Sequence, residues 1–289
     1  MHNGETDAQP ATLVDLAVFG APRKLPSFCT DRSMSLFDML LLVLAGFAAG
    51  GMNALAGGGT FFSFPALLAA GLPPVTANAT NAVALWPASL AGAWAARASL
   101  RPLGRYLIPL LLAGLCGGLL GGLLLLAGGD ELFRGLIPWL LLAATALFAA
   151  SPWLSRALAA RRAPAAQPPH SRWSLGAHIG VSIYGGYFGA GMGILQLAAF
   201  AIEGHPLARA NALKNLISAV IYSVATLTFV VAGRVSWYEL AILLGGATLG
   251  GYAGGALGQR LPPKLLRALV IAVGSGMTGY YFWATYFAA

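Results

Sequence analysis

Charge is what this chain lacks most. Only 9% of its 289 residues are charged, nine acids against seventeen bases, while 58% are hydrophobic. A soluble domain of ordinary composition carries roughly a quarter charged residues. So sparse a polar surface cannot hold a 29.7 kDa globule in water, which excludes an ordinary soluble enzyme, a disordered chain and a coiled coil. Two cysteines, Cys29 and Cys116, are too few for a disulfide framework. The four histidines are scattered, no Cys/His cluster has metal spacing, and neither a metal nor another cofactor is expected. The phosphate-cradling pattern G-x-x-x-x-G-K-[ST] is missing, so any pumping must draw on a gradient or a partner. No basic patch alternates with stacking aromatics, so the net charge of +8 does not point to nucleic acid.

What is present is long Leu/Ala runs studded with 38 glycines and a mean hydropathy of +0.74. The lipid bilayer is the solvent this composition fits. Residues 1–33 are polar, carry Pro10, Pro22 and Pro26, and lack the apolar core of a signal peptide. Met34 opens the first apolar run, so either the tail is an extension ahead of the biological start or it belongs to the protein. From there the apolar segments form two sets: 36–52, 60–71, 76–97, 105–127 and 132–151, then 174–190, 193–203, 207–232, 237–258 and 265–287. Between them, 152–173 is rich in proline and arginine and reads as a linker. The chain therefore divides into a tail (1–33), a first membrane repeat (34–151), the linker (152–173) and a second membrane repeat (174–289).

Two motifs recur in the same order in both halves. Gly50-Gly51 leads to Ala56-Gly57-Gly58-Gly59-Thr60, and Gly185-Gly186 leads to Gly189-Ala190-Gly191-Met192-Gly193. Further on, Ala77-Asn78-Ala79-Thr80-Asn81 matches Ala210-Asn211-Ala212-Leu213-Lys214-Asn215. Segment 60–71 gives about 18 Å of helix against a hydrocarbon core of about 30 Å, so it cannot span alone. Backbone broken within a membrane must be buried in protein or line a cavity. We read 36–71 and 174–203 as re-entrant hairpins turning at the glycines. Three spanning helices per half then invert one half relative to the other. The expected fold is all-α and polytopic, with two pseudo-symmetric, inverted halves, each a broken helix plus three spanning helices.

Charge separates the two topologies that remain open. With hairpins and six crossings, one side receives Arg97, Arg101, Arg105, Arg156, Arg161, Arg162, Arg172, Arg209, Arg260, Lys264 and Arg267. The other receives Arg134 and Arg234, plus Arg23, Lys24 and Arg32 if the tail counts. Leaving the tail out, that is eleven against two; eight crossings give eight against four. The basic side is expected to be cytoplasmic.

Candidate site residues gather at the breaks. Gly58, Gly59 and Thr60, with Gly191 and Gly193, would offer backbone N–H groups at two helix starts, where the dipole favours an anion. Gly117, Gly118, Gly121 and Gly122 instead read as close helix packing. Asn78 and Asn81 share a helix face, although Asn78 could equally cap its helix. Asn211 and Asn215 are their counterparts, and Gln196 lies one turn into the second short helix. Lys214 stands about 12 Å into its helix, where an ammonium is costly and marks function. It could bind an anion, titrate to couple protons, or snorkel to the surface. Tyr184 and Tyr187 could close the site. The tryptophans, Trp86 among them, read mostly as interfacial anchors, His178 as a residue near a helix end without a role, and Glu203 and His205 as parts of a solvated loop.

At these residues the sequence resembles the sulfite exporter TauE/SafE family of membrane permeases. The resemblance rests on Ala56-Gly57-Gly58-Gly59-Thr60, Phe64-Pro65-Ala66-Leu67-Leu68, Gly71-Leu72-Pro73-Pro74-Val75-Thr76-Ala77-Asn78-Ala79-Thr80-Asn81 and Arg209-Ala210-Asn211-Ala212-Leu213-Lys214-Asn215. It implies a multi-pass permease of a bacterial inner membrane for a small sulfur-containing anion such as sulfite, a sulfonate or sulfoacetate, and no enzymatic activity. A passive anion channel or a non-transporting scaffold are the alternatives. From the charge pattern, a reporter fused after Ala289 should read as periplasmic and cysteines placed in 157–172 should label only from the cytoplasm; the reverse pattern would overturn the six-crossing topology.

Overall fold

Leucine and alanine runs without strand-forming alternation leave the helix as the way to satisfy the backbone, and glycine and proline decide where each helix stops. The computed structural model describes residues 34–55, 58–159, 172–257 and 263–287. The tail 1–33, Ala56-Gly57 of the first break, linker residues 160–171 and Arg260 lie outside the described residues, as do the side chains of Arg156 and Lys264. All regular elements among the described residues are helical. They are α1 (Leu36–Leu55), α2 (Thr60–Ala69), α3 (Pro74–Ala95), a short α4 (Arg97–Leu100) and a 3-10 turn over Arg101–Tyr106. Then follow α5 (Leu107–Ala159), α6 (Arg172–Tyr187), α7 (Met192–Ile202), α8 (Leu207–Val231), α9 (Trp237–Leu257) and α10 (Pro263–Tyr286). The two apolar segments read at 105–127 and 132–151 are two helical arms of α5 that meet at Gly129, whose φ of 69° and ψ of −175° are not helical. Among the described residues, three stretches are long and apolar enough to cross a membrane: Leu36–Asn53, Arg97–Trp153 and Ala208–Val231. Leu112, Leu115, Leu119, Leu120, Leu123 and Leu124 point outward from α5, as expected for a lipid-facing surface.

The helix stops share one construction. After α2, Gly71 takes φ 91°, the Leu72 N–H donates to the Leu67 carbonyl and Gly71 N–H to Leu68. After α7, Gly204 takes φ 81°, with His205 N–H on Phe200 and Gly204 N–H on Ala201. Both are left-handed glycine caps of the Schellman type. A proline then starts the next helix: Pro73 at φ −55°, ψ 145° and Pro206 at φ −57°, ψ 146°.

Two glycine seams bring helices together. Along α1 and α9, a Cβ on Gly50 would lie 1.9 Å from the Ala247 carbonyl oxygen, and one on Gly250 1.9 Å from that of Phe47. Along α5 and α6, a Cβ on Gly121 would lie 2.1 Å from the Ile183 oxygen, and one on Gly186 2.3 Å from that of Gly118. These spacings leave room only for hydrogen, so backbone meets backbone, which matches the packing role expected for Gly117, Gly118 and Gly121. Elsewhere α3 packs on α8, and α5 on α8 and α10. At one end of this assembly Asp130, just past the α5 kink, accepts the Val75 N–H at 2.9 Å and pairs with Arg234 at 3.9 Å. At α6, His178 in the second turn meets Glu203 just past the end of α7 at 2.8 Å, so the chain enters α6 and leaves α7 at the same end.

Gly50→Val and Gly121→Val should each destabilise the detergent-purified protein by about 3 kcal/mol or more, the upper range of overpacking, because backbone cannot yield as a side chain can. Gly276→Ala, where nothing lies within 4 Å, should stay within about 0.5 kcal/mol. Melting temperatures followed by size-exclusion chromatography decide this; equal effects of the three substitutions would refute the seams.

Candidate functional site

Two helices begin in the protein interior without a side-chain cap. α2 starts at Thr60 behind Gly59, and α7 at Met192 behind Gly191, whose φ is 75°. Gly58 at φ 95° and Gly189 at φ 81° complete the turns, a conformation that costs L side chains and not glycine. Gly59, Gly189 and Gly191 are buried. Phe61 and Phe62 N–H turn back on the Gly58 and Gly59 carbonyls, and Met192 and Ile194 N–H on those of Gly189 and Gly191, so what each break presents is the positive end of a helix dipole and the few N–H groups ahead of these turns.

The first break is tied to α3. Asn81 Nδ2 donates to Thr60 Oγ1 at 3.4 Å. The Ser63 hydroxyl is shared between Asn81 Oδ1 and the Gly59 carbonyl, the latter at 3.1 Å. Thr60, Ser63, Asn78 and Asn81 are all buried. Asn78 does not cap its helix, since Pro73 holds that position without a side-chain bond. Its Nδ2 instead donates to the Tyr187 carbonyl at 2.9 Å, so a residue of α3 closes the end of α6. In the other direction Tyr222 of α8 hydrogen-bonds Thr60, and a Cβ on Gly189 would lie 3.1 Å from its hydroxyl. One buried phenol thus touches both breaks.

The second break is lined by α8. The aliphatic stem of Lys214 covers Gly193, where a Cβ would lie 3.4 Å from Cδ. None of the ion pairs among the described residues involves Lys214. Gln196 Oε1 accepts from Ser218 Oγ at 3.0 Å, while its Nε2 is buried with no partner. The Tyr184 hydroxyl donates to the Ala190 carbonyl at 2.6 Å and fastens this turn; the Tyr187 ring packs on Phe133. Asn211 is half-buried near the start of α8, and the Asn215 amide lies against Gly92 of α3, at the α3–α8 contact.

The structure therefore joins Thr60 with Asn81, Gly193 with Lys214, and Asn78 with the second break. Tyr222, Ser63 and Ser218 belong to the same network and were missed by sequence reasoning. A signal existed: Asn211, Asn215, Ser218, Tyr222 and Thr226 recur at helical spacing and form one polar stripe on an otherwise apolar helix. The constellation offers uncapped N–H groups, a spare amide donor, hydroxyls and one ammonium, the donor set of an anion site.

Two expectations are corrected. Glu203 and His205 do not lie in a solvated loop, and His178, near the start of α6 as expected, meets Glu203 there. Both histidines are buried, at 2% and 8% exposure, because the Gly204 cap turns the chain back and aims Glu203 and His205 at α6 and Tyr106. Trp86 is no interfacial anchor, since its Nε1 donates to Ser223 Oγ at 2.7 Å between α3 and α8.

Residues 42–281 match the family described as sulfite exporter TauE/SafE. A probable membrane transporter protein of Haemophilus influenzae is 28% identical over 247 residues, 83% of this chain and 93% of that protein. The probable membrane transporter protein YfcA of Escherichia coli K12 is 28% identical, covering 86% of this chain and 92% of its own length. The probable membrane transporter protein ORF9 of a Sinorhizobium species is 26% identical, over 81% and 88%. No solved structure matches the chain.

Asn81→Leu keeps the branched four-atom shape and removes the amide that Ser63 and Thr60 bond. It should cost about 1–3 kcal/mol, the penalty for a buried polar group left unpaired, read as a lower melting temperature in detergent; an unchanged value would show that Asn81 does not hold the break.

Proposed function

The chain belongs to the sulfite exporter TauE/SafE family, a family of membrane transporters, and on that premise we propose that it is a secondary carrier of a small sulfur-containing anion such as sulfite, a sulfonate or sulfoacetate. The anion sits between the two glycine breaks. Gly58, Gly59, Thr60, Gly191 and Gly193 contribute backbone donors at the helix starts. Asn78, Asn81, Gln196, Asn211 and Asn215 contribute amides, and Lys214 supplies the fixed charge. The observation that carries this reading is the stem of Lys214 against Gly193, together with the partnerless Nε2 of Gln196, three residues further along α7. An ammonium and a buried donor without protein partners are both costly and are both answered by one oxyanion.

The carrier is a multi-pass protein of a bacterial inner membrane, without enzymatic activity, and its two halves are inverted repeats. Support for the repeat comes from the matching caps and prolines around 71–73 and 204–206. Asn78 and Asn211 each stand five residues past the proline before their helix, and Asn81 and Lys214 each eight. Asn81 faces the first helix start as Lys214 faces the second. The two glycine seams correspond likewise, α1 on α9 and α6 on α5. Inversion sends the two short helices from mid-depth to opposite faces, so their dipoles converge on the same region.

In proteoliposomes, radiolabelled sulfite should exchange against unlabelled sulfite. Lys214→Ala should lower that exchange at least tenfold with normal insertion, and Lys214→Arg should rescue poorly because a planar fork is no compact ammonium. Wild-type rates in Lys214→Ala, with unchanged half-saturation, would remove the lysine from the site. An ion current without counterflow would replace the carrier by a channel.

A further inference from the structure

A second polar cluster lies apart from the breaks, where the α7–α8 turn returns to α6. Glu203 Oε1 accepts from His178 Nε2 at 2.8 Å and from the Ser174 hydroxyl. Its other oxygen, Oε2, lies 3.1 Å from the Tyr106 hydroxyl and 3.5 Å from His205 Nε2. Tyr106 and His205 are themselves 2.7 Å apart. Phe200, fully buried, stacks on His178 at 4.6 Å and edges His205 at 5.9 Å, forming an apolar wall. Three elements meet here: α6, the α7–α8 turn and the Arg101–Tyr106 segment. The Glu203 side chain is 11% exposed, so the cluster is closed in without being sealed from water.

We propose that His178, Glu203, His205 and Tyr106 form a proton-binding site on the basic face, at which an arriving proton pins the α7–α8 turn to α6 and to the Arg101–Tyr106 segment. A carboxylate bracketed by two imidazole Nε2 atoms is a structure that accepts positive charge. In the unprotonated state the Tyr106 O–H donates to a bare His205 Nε2. A proton from water adds to that nitrogen, which then donates to the Tyr106 oxygen, and the phenol hydrogen turns to Glu203 Oε2. One N–H bond forms, one hydronium returns to water, and no other covalent bond changes. The added charge stands against a carboxylate within 3.5 Å, in surroundings of low dielectric where such attraction is strong.

The charge of the cluster follows from its neighbours. Burial alone would raise the Glu203 carboxyl, but hydrogen bonds from His178, His205 and Ser174 and the charge of His178 outweigh it and hold the group well below the usual carboxylate range. A carboxyl lowered on folding stabilises the protein in full above its unfolded pKa and loses that contribution only as the pH falls through the folded value. Glu203 therefore stays ionised at neutral pH and holds its negative charge against the added proton. Among the described residues α5, also packed on α6, brings no charged group that shifts Glu203.

In a carrier such a site ties movement of the second hairpin to proton uptake, and this consequence rests on the carrier reading above. The test uses the full chain in two measurements. Hydrogen exchange of peptides covering 200–206, corrected for intrinsic rates, should show at least threefold more protection at pH 6 than at pH 8 in the wild type. That difference should vanish in Glu203→Gln and in the His178→Gln/His205→Gln double variant. In proteoliposomes with an imposed pH gradient, wild type should accumulate radiolabelled sulfite, while the double variant should keep exchange without a gradient and lose at least tenfold of the gradient-driven accumulation. Equal protection at the two pH values in the wild type overturns the proton site, whether or not a variant folds, as does undiminished accumulation in the double variant. If the wild type exchanges no sulfite while its protection still follows pH, the carrier reading falls and the proton site stands.

Discussion

A helix that starts inside a protein leaves its first N–H groups without intrahelical partners, and in lipid no water can supply them. The rest of this structure follows from accommodating two such starts. Each uses glycines in the left-handed region, because only there can the chain reverse within four or five residues without strain on a side chain. Each is then held from the side by a neighbouring helix, through Asn81 and Tyr222 at the first break and Asn78 and Ser218 at the second. These side chains leave the Gln196 Nε2 and the Asn78 Oδ1 without a partner.

Close helix approach is the second half of the same solution. Helices α1 and α6 meet α9 and α5 with carbonyl oxygens where a Cβ would otherwise lie. Such seams gain many weak contacts in place of the hydrophobic drive that lipid removes. A shift of one residue along a seam would bring a side chain against backbone, so the positions of the breaks depend on the glycine pattern far from them.

Polar groups are sorted by how they are satisfied. Asp130 and Arg234 pair at the start of α3, where they are partly exposed, and contribute little. Glu203 sits among donors and stays ionised. Lys214 enters no ion pair among the described residues.

Much of this was legible in the sequence. The scarcity of charge dictated the solvent, and apolar runs between Gly and Pro marked most helix ends to within three residues, although α5 runs on to Ala159, eight residues into the segment read as linker. The recurrence of Gly-rich and Asn patches marked the two breaks, because those residue types answer local backbone demands that any fold would impose. The Asn78 bond to Tyr187 and the Tyr222 phenol between Thr60 and Gly189 were not legible, since they join residues more than a hundred positions apart. Nor was the burial of Glu203 and His205: a turn between two helices reads as solvated until the Gly204 cap is seen to aim both side chains inward. Local chemistry set which segments are helical and where they stop; only the tertiary structure decided which unsatisfied groups meet, because that depends on which helices the glycine seams bring side by side.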